Sequence, residues 1–160
     1  MTTSTLNPTA WQRTAASQHA LHTLTDAIAN DPSALPELVR EALGEFDSLD
    51  DLLLMAHAQW MRTFDARIDP LLEAGLHGDQ AAFEQVWADT AGLLAGTARL
   101  LDVHADHPAV VRAHAQHVRR IQRMLDVRLP DSWAAAQPVR RRRSCAGRIG
   151  RVLLPRVRLA

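Results

Sequence analysis

Apolar residues recur along this chain at spacings of three and four, the period of an α-helix that buries one face. The pattern predicts five helices, at about residues 9–30, 34–46, 49–74, 80–104 and 108–129. No stretch shows the alternation of a half-buried strand. Because only a few residues separate the last three helices, we expect antiparallel neighbours. The predicted fold is therefore an all-α single domain with an up-down arrangement resembling a four-helix bundle.

Polar residues at the starts of these helices support their placement. Ser33, Ser48 and Asp79 each precede an apolar periodic run, as helix caps do. The third helix has the longest regular apolar face, and Trp60 lies on it. Pro70 falls inside this helix and is expected to kink its last turns, since proline removes one backbone hydrogen bond.

Small residues form a strip on the fourth predicted helix. The strip includes Ala88, Gly92 and Gly96, and the chain has only seven glycines in all. Glycine costs a helix about 1 kcal/mol relative to alanine, so two of them in one helix indicate a close approach of another backbone. We expect this helix either to be central in the fold or to present the strip to a second copy.

The formal charge of zero hides an uneven distribution along the chain. Residues 1–129 contain ten arginines and seventeen acids, a net charge of −7, whereas residues 130–160 contain eight arginines and one acid, a net charge of +7. We therefore divide the chain into a flexible N-terminus (1–8), a helical domain (9–129) and a basic, largely disordered tail (130–160). The arginines expected to contact an anion or a partner are Arg140, Arg141, Arg142, Arg143, Arg148 and Arg151.

Histidine is abundant, with eight in 160 residues. Helical spacing places His57, His114 and His117 on inward faces and His104 at the edge of one. Four imidazoles in one interior could bind a transition metal such as zinc, copper, iron or nickel. The same spacing is also typical of core histidines that hydrogen-bond to backbone or to an acid. No Glu-x-x-His or His-Glu-x-x-His motif is present, so the sequence requires no cofactor.

The amino-acid composition excludes some kinds of biochemical function. The chain has no lysine, which excludes a lysine-containing phosphate loop and Schiff-base catalysis. The bias toward Ala, Leu and Arg is typical of a GC-rich, actinobacterial-like genome. The single cysteine, Cys145, cannot form an internal disulfide. The first residues also lack the pattern of a secretory signal, so we expect a cytoplasmic protein. No apolar run is long enough to span a membrane.

These features favour a non-enzymatic module that contacts a partner protein or a second copy of itself. One alternative is a metal- or cofactor-binding bundle that uses the inward histidines. Another is association with nucleic acid, or with an anionic membrane surface, through the basic tail.

Overall fold

A computed structural model describes residues 10–125, 127, 128, 130, 132 and 133. It contains the helices α1 (Ala10–Asn30), α2 (Leu35–Ala42), α3 (Leu49–Glu73), α4 (Gln80–Leu93), α5 (Ala95–Val103) and α6 (Pro108–Leu125), with 3-10 turns at Pro32–Ala34 and Leu43–Glu45. These residues include no strand, which confirms the all-α class. None of the helices they form is long and apolar enough to cross a membrane.

The two ends of the chain carry predictions that fall outside the described residues. These include the flexible N-terminus at 1–8 and the disorder of the tail from residue 134 onward. All six arginines expected to contact an anion or a partner also lie there, namely Arg140, Arg141, Arg142, Arg143, Arg148 and Arg151. The nucleic-acid hypothesis based on them stays a prediction.

Two of the predicted helix caps are confirmed. The Ser48 hydroxyl accepts a hydrogen bond of 3.2 Å from the backbone N–H of Asp51 at the start of α3. The Asp79 carboxylate accepts one of 3.0 Å from the N–H of Ala82 at the start of α4. Each cap satisfies a backbone donor that the first helical turn leaves without a partner. The helix α3 continues through Pro70 to Glu73.

The start of the second helix differs from the prediction. Asp31, rather than Ser33, is the capping residue: its carboxylate accepts hydrogen bonds from both the backbone N–H and the hydroxyl of Ser33. Asp31 thus caps the 3-10 turn at Pro32–Ala34, whereas α2 begins at Leu35 without a side-chain cap. It ends at Ala42 and not at residue 46, because a second 3-10 turn follows at Leu43–Glu45.

The prediction of one continuous fourth helix is wrong, and this accounts for six helices instead of five. The chain breaks at Leu94, whose backbone angles of φ −112° and ψ 46° are not helical, so that α4 and α5 are separate elements. Glycines flank this point at Gly92 and Gly96, and their low helix propensity makes a break inexpensive. The change of direction allows α5 to pack along α1.

The predicted small-residue strip is divided between two environments. Gly96 is buried, and a Cβ atom built on it would lie 1.7 Å from the carbonyl oxygen of Thr25 in α1. Gly92 is exposed, and a Cβ atom there would meet nothing within 4 Å. Ala88 is half-buried. Close helix packing therefore occurs at Gly96, inside the protein, where α5 contacts α1.

The core lies around α3, which contacts α1, α4, α5 and α6. Aromatic side chains fill its centre: Trp60 and Phe64 of α3 pack edge-on against Trp87 of α4, with ring centroids 5.4 and 5.0 Å apart. All three are essentially inaccessible to solvent. Burial of such large rings supplies a major part of the hydrophobic stabilisation of a domain of this size.

Candidate functional site

Three of the four predicted inward histidines meet beside the aromatic core. His57 extends from α3, and His114 and His117 extend from successive turns of α6. The ring centroid of His57 lies 6.1 Å from that of His114 and 6.5 Å from that of His117, in both cases edge to face. We call these three residues the histidine cluster. It forms because α3 and α6 pack together along these faces.

His57 is buried and His114 and His117 are half-buried, and the cluster is only partly hydrogen-bonded. His57 is 7% exposed. His57 Nε2, His114 Nδ1 and His117 Nε2 are all shielded from solvent and lack a hydrogen-bond partner. Unpaired buried nitrogens are costly, commonly about 1–3 kcal/mol each, and native proteins contain few of them. Three in one cluster mark this place as unusual within the core.

Burial keeps the cluster uncharged near neutral pH. Loss of hydration, reinforced by repulsion from the other imidazoles, lowers the pKa of His57 to about 4. The same two causes, burial first, lower the pKa of His114 to about 4. A neutral imidazole can accept at one nitrogen and donate at the other, and it can also bind a metal. The cluster therefore offers neutral imidazole chemistry at neutral pH.

Asp65 links one edge of the cluster to the surface. Its Oδ1 lies 3.2 Å from His117 Nε2, and its Oδ2 accepts a hydrogen bond of 3.0 Å from Arg120. Burial nevertheless lowers the pKa of His117, and Asp65 opposes that shift.

A short segment after α6 folds back over the cluster. Its described residues lie between 127 and 133, and we call it the return segment. Its last residue, Trp133, is 3% exposed, and its ring centroid lies 4.4 Å from that of His114 and 5.4 Å from that of His57. The packed core thus continues beyond residue 129, where the sequence predicted the helical domain to end.

Polar contacts fix the return segment at both ends. Asp102, at the end of α5, accepts a hydrogen bond of 2.7 Å from the backbone N–H of Trp133 and others from the Ser132 hydroxyl. The indole N–H of Trp87 donates to the carbonyl of Ser132 over 3.1 Å. Near the start of the segment, the side chain of Gln80 forms hydrogen bonds with both the backbone N–H and the carbonyl of Arg128. These bonds satisfy backbone groups of a segment that lacks regular structure.

The fourth predicted metal ligand, His104, lies apart from the cluster. Its Nδ1 is 2.9 Å from the carbonyl of Leu100, one turn earlier at the end of α5. Within the described part of the chain, no ring contact joins it to the other three histidines. His104 is the residue at which α5 ends, and its backbone angles of φ −109° and ψ 24° are no longer helical, so helical spacing does not set the direction of its side chain. Nor does any set of three His, Cys, Asp or Glu side chains among the described residues have the geometry to hold a metal ion.

A groove runs beside the cluster, between α6 and the return segment. We call it the α6 groove. Its volume is about 620 Å³, and its lining includes Val111, His114, Val118, Arg119, Arg128 and Trp133. The lining is mainly apolar, with the two arginines among it. This combination of an apolar surface with a few polar groups is typical of binding sites.

The sequence predicts part of what completes this site. Trp133 falls in the tail (130–160) as a large apolar ring that could dock on the helical domain, because such a ring is rarely left in solvent. Its burial confirms this docking and depends on the return of the chain after α6. Asp65 borders the inward face of α3 in the apolar pattern, whereas no local signal marks Asp102 as the partner of the return segment.

No protein-family model matches this chain. Searches for similar curated proteins and for similar solved structures found no match either.

Proposed function

We propose that this protein is a non-enzymatic interaction module with an up-down helical-bundle architecture, and that it binds a partner protein through the α6 groove. One observation carries the proposal: a mainly apolar groove in an acidic domain is lined by two arginines, Arg119 and Arg128, that form no ion pair with any residue the structure describes. An exposed apolar surface is unfavourable in water unless another molecule covers it.

Exposure of apolar residues supports this choice of surface. Val111, at the start of α6, has 49% of its surface exposed, and Val103 at the end of α5 has 53%. Both lie at the α5–α6 turn, and Val111 lines the groove. The apolar surface of Val111 is therefore available to a partner that occupies the groove.

A larger groove, of about 870 Å³ between α1 and α3, is a weaker candidate. Its charged residues have both signs: Arg13 and Arg62 face Glu45, Asp47 and Asp51. Side chains of opposite charge are well hydrated when no partner is bound. Covering them with a partner therefore yields little favourable free energy of binding. The α6 groove combines apolar area with charge of one sign.

The test uses one substitution in the groove and one matched control. Val111→Glu places a charge in the apolar wall, and Leu93→Glu makes the same change at an exposed leucine of α4 that lines no groove described above. Proteins retained by the wild-type chain and by each variant are identified from the source cells by mass spectrometry. Each candidate is then purified and titrated by calorimetry.

We expect at least one partner to bind the wild type and Leu93→Glu equally and to lose most of its affinity for Val111→Glu. Equal binding to all three proteins would contradict the assignment of the groove. A wild-type chain that retains no partner, and that sedimentation shows to be monomeric at high concentration, would contradict the interaction function itself.

A second candidate function is metal or cofactor binding by the histidine cluster. The three buried ring nitrogens without hydrogen-bond partners favour it. Zinc requires nitrogens at about 2.0–2.1 Å from the ion, so the imidazoles of His57, His114 and His117 would have to rotate to converge. Elemental analysis of untagged protein, purified after growth with added zinc, copper or nickel, tests this. A metal content near zero would contradict it.

A further inference from the structure

The α6 groove is elongated and is bordered by a helix along one side. Its lining follows α6 from Val111 to Gln122. At a rise of 1.5 Å per residue, this distance is about 16 Å, or three helical turns. The return segment forms the opposite wall, with Pro130 and Trp133. Such a groove matches one face of a short helix, since apolar residues three and four apart on a helix form a stripe of the same length.

Among the described residues that line the groove, the charged side chains are both arginines. The helix α6 carries four arginines and no acidic residue. Arg120 is paired with Asp65, but Arg119 and Arg128, which line the groove, form no ion pair in the part of the chain that the structure describes. Gln80 fixes the backbone of residue 128 through two hydrogen bonds. Two guanidiniums without an ion pair among the described residues therefore border an apolar surface, and the backbone that carries one of them is held in place.

The chain's own tail has the wrong charge for this groove. Residues 130–160 contain eight arginines and one acid. Bringing them to Arg119 and Arg128 would place like charges together, which is unfavourable at short distances. Charge complementarity thus selects an occupant from another molecule, and an acidic one.

We propose that the α6 groove binds an acidic amphipathic helix of a partner protein, with apolar side chains against Val111 and Val118 and carboxylates paired with Arg119 and Arg128. This inference rests on the proposed function and specifies the chemistry of the partner. Carboxylates on a helix can form charge-assisted hydrogen bonds with arginine, and these are stronger than neutral ones.

The experiment measures fluorescence anisotropy of labelled peptides on the full-length chain. The first probe is a peptide of about 15 residues with leucines on one helical face and glutamates on the other. A second probe has lysines in place of the glutamates, and a third has the acidic composition in scrambled order. The protein variants are the double substitution Arg119→Glu with Arg128→Glu, and the single substitution Arg112→Glu, which makes the same type of replacement at one position of α6 outside the groove.

We expect the acidic amphipathic peptide to bind, the lysine and scrambled peptides to bind at least about tenfold more weakly, and added salt to weaken binding. The double variant should lose about tenfold or more in affinity, whereas Arg112→Glu should change it by less than about threefold. Equal losses in both proteins would overturn the proposal. It would also be overturned if the lysine peptide bound as well as the acidic one. Decanoate, a fatty acid, serves as a further probe, and binding of decanoate without binding of the acidic peptide would overturn the proposal too.

Failure of this inference can be distinguished from failure of the proposed function. A natural partner that is lost on Val111→Glu but is insensitive to the arginine substitutions would leave the groove as the interface and overturn only the acidic helix. A partner unaffected by Val111→Glu would overturn both. Circular dichroism of each variant verifies that the helices are retained.

Discussion

Replacing Gly96 with alanine tests how closely α5 packs on α1. An alanine Cβ at this position would lie 1.7 Å from the Thr25 carbonyl oxygen and 2.6 Å from its carbonyl carbon. The closest normal contacts between carbon and oxygen are about 3.3 Å, so the two helices would have to separate by about 1.6 Å. Because both atoms met are backbone, no side-chain rotation can relieve the clash.

The expected cost follows from two opposing effects. Overpacking of a core costs about 1–3 kcal/mol and more when backbone has to move, while alanine gains about 1 kcal/mol over glycine in helix propensity. We therefore expect Gly96→Ala to lower the free energy of unfolding by about 2 kcal/mol or more. Gly92→Ala is the matched control: its Cβ would meet nothing within 4 Å, so it should raise stability by up to about 1 kcal/mol.

Urea denaturation followed by circular dichroism at 222 nm measures both effects. The midpoint should move to lower urea for Gly96→Ala and to higher urea for Gly92→Ala, with the slope unchanged. If Gly96→Ala proved as stable as the wild type, the close approach of α5 to Thr25 would be refuted. If Gly92→Ala were also strongly destabilised, the cause would be intrinsic to helix formation near the break and unrelated to the contact with α1.

Three further predictions concern acid stability, the return segment and a helix cap. The lowered pKa values of His57 and His114 mean that the unfolded chain takes up protons below its pKa of 6.5 while the folded protein stays neutral down to about 4. The free energy of unfolding should therefore fall as the pH decreases from 6.5 toward 4, by about 1 kcal/mol per histidine at pH 5.5. The urea midpoints of His57→Gln and His114→Gln should depend less on pH between 7 and 5.5 than the midpoint of the wild type. Replacing Asp102 with alanine removes the acceptor for the Trp133 N–H, so the return segment should loosen, with about 1–3 kcal/mol lower stability and greater quenching of tryptophan fluorescence by acrylamide; unchanged quenching would contradict this. Ser48→Ala should cost about 1 kcal/mol through loss of the α3 cap, measured by thermal unfolding, and an unchanged midpoint would show that the cap contributes little.

Local signals in the sequence predicted most of the helices correctly. These signals include the caps at Ser48 and Asp79 and the apolar face of α3. They depend on residues close together in the chain, so they do not require knowledge of the tertiary structure. The break at Leu94 was missed because α4 and α5 share a nearly continuous apolar pattern. Whether two flanking glycines bend a helix or merely weaken it depends on what packs against them.

The site was also predictable only in part, because some of its contacts depend on how distant parts of the chain pack. Spacing placed His57, His114 and His117 inward, and they do meet. His104 does not join them, since it lies at the non-helical end of α5 and its ring contacts the carbonyl of Leu100 instead. Trp133 completes the cluster through a return of the chain that no local pattern encodes.

The sequence by itself therefore determined the all-α class, most helix boundaries and the inward position of three histidines, because helical periodicity and capping are local properties. Only the tertiary structure decided that Gly96 contacts α1, that Trp133 covers the histidines, and that Arg119 and Arg128 border an apolar groove. Each of these depends on residues far apart in the chain. Their proximity results from packing around the aromatic core, where shape and burial select one arrangement among many with the same local pattern.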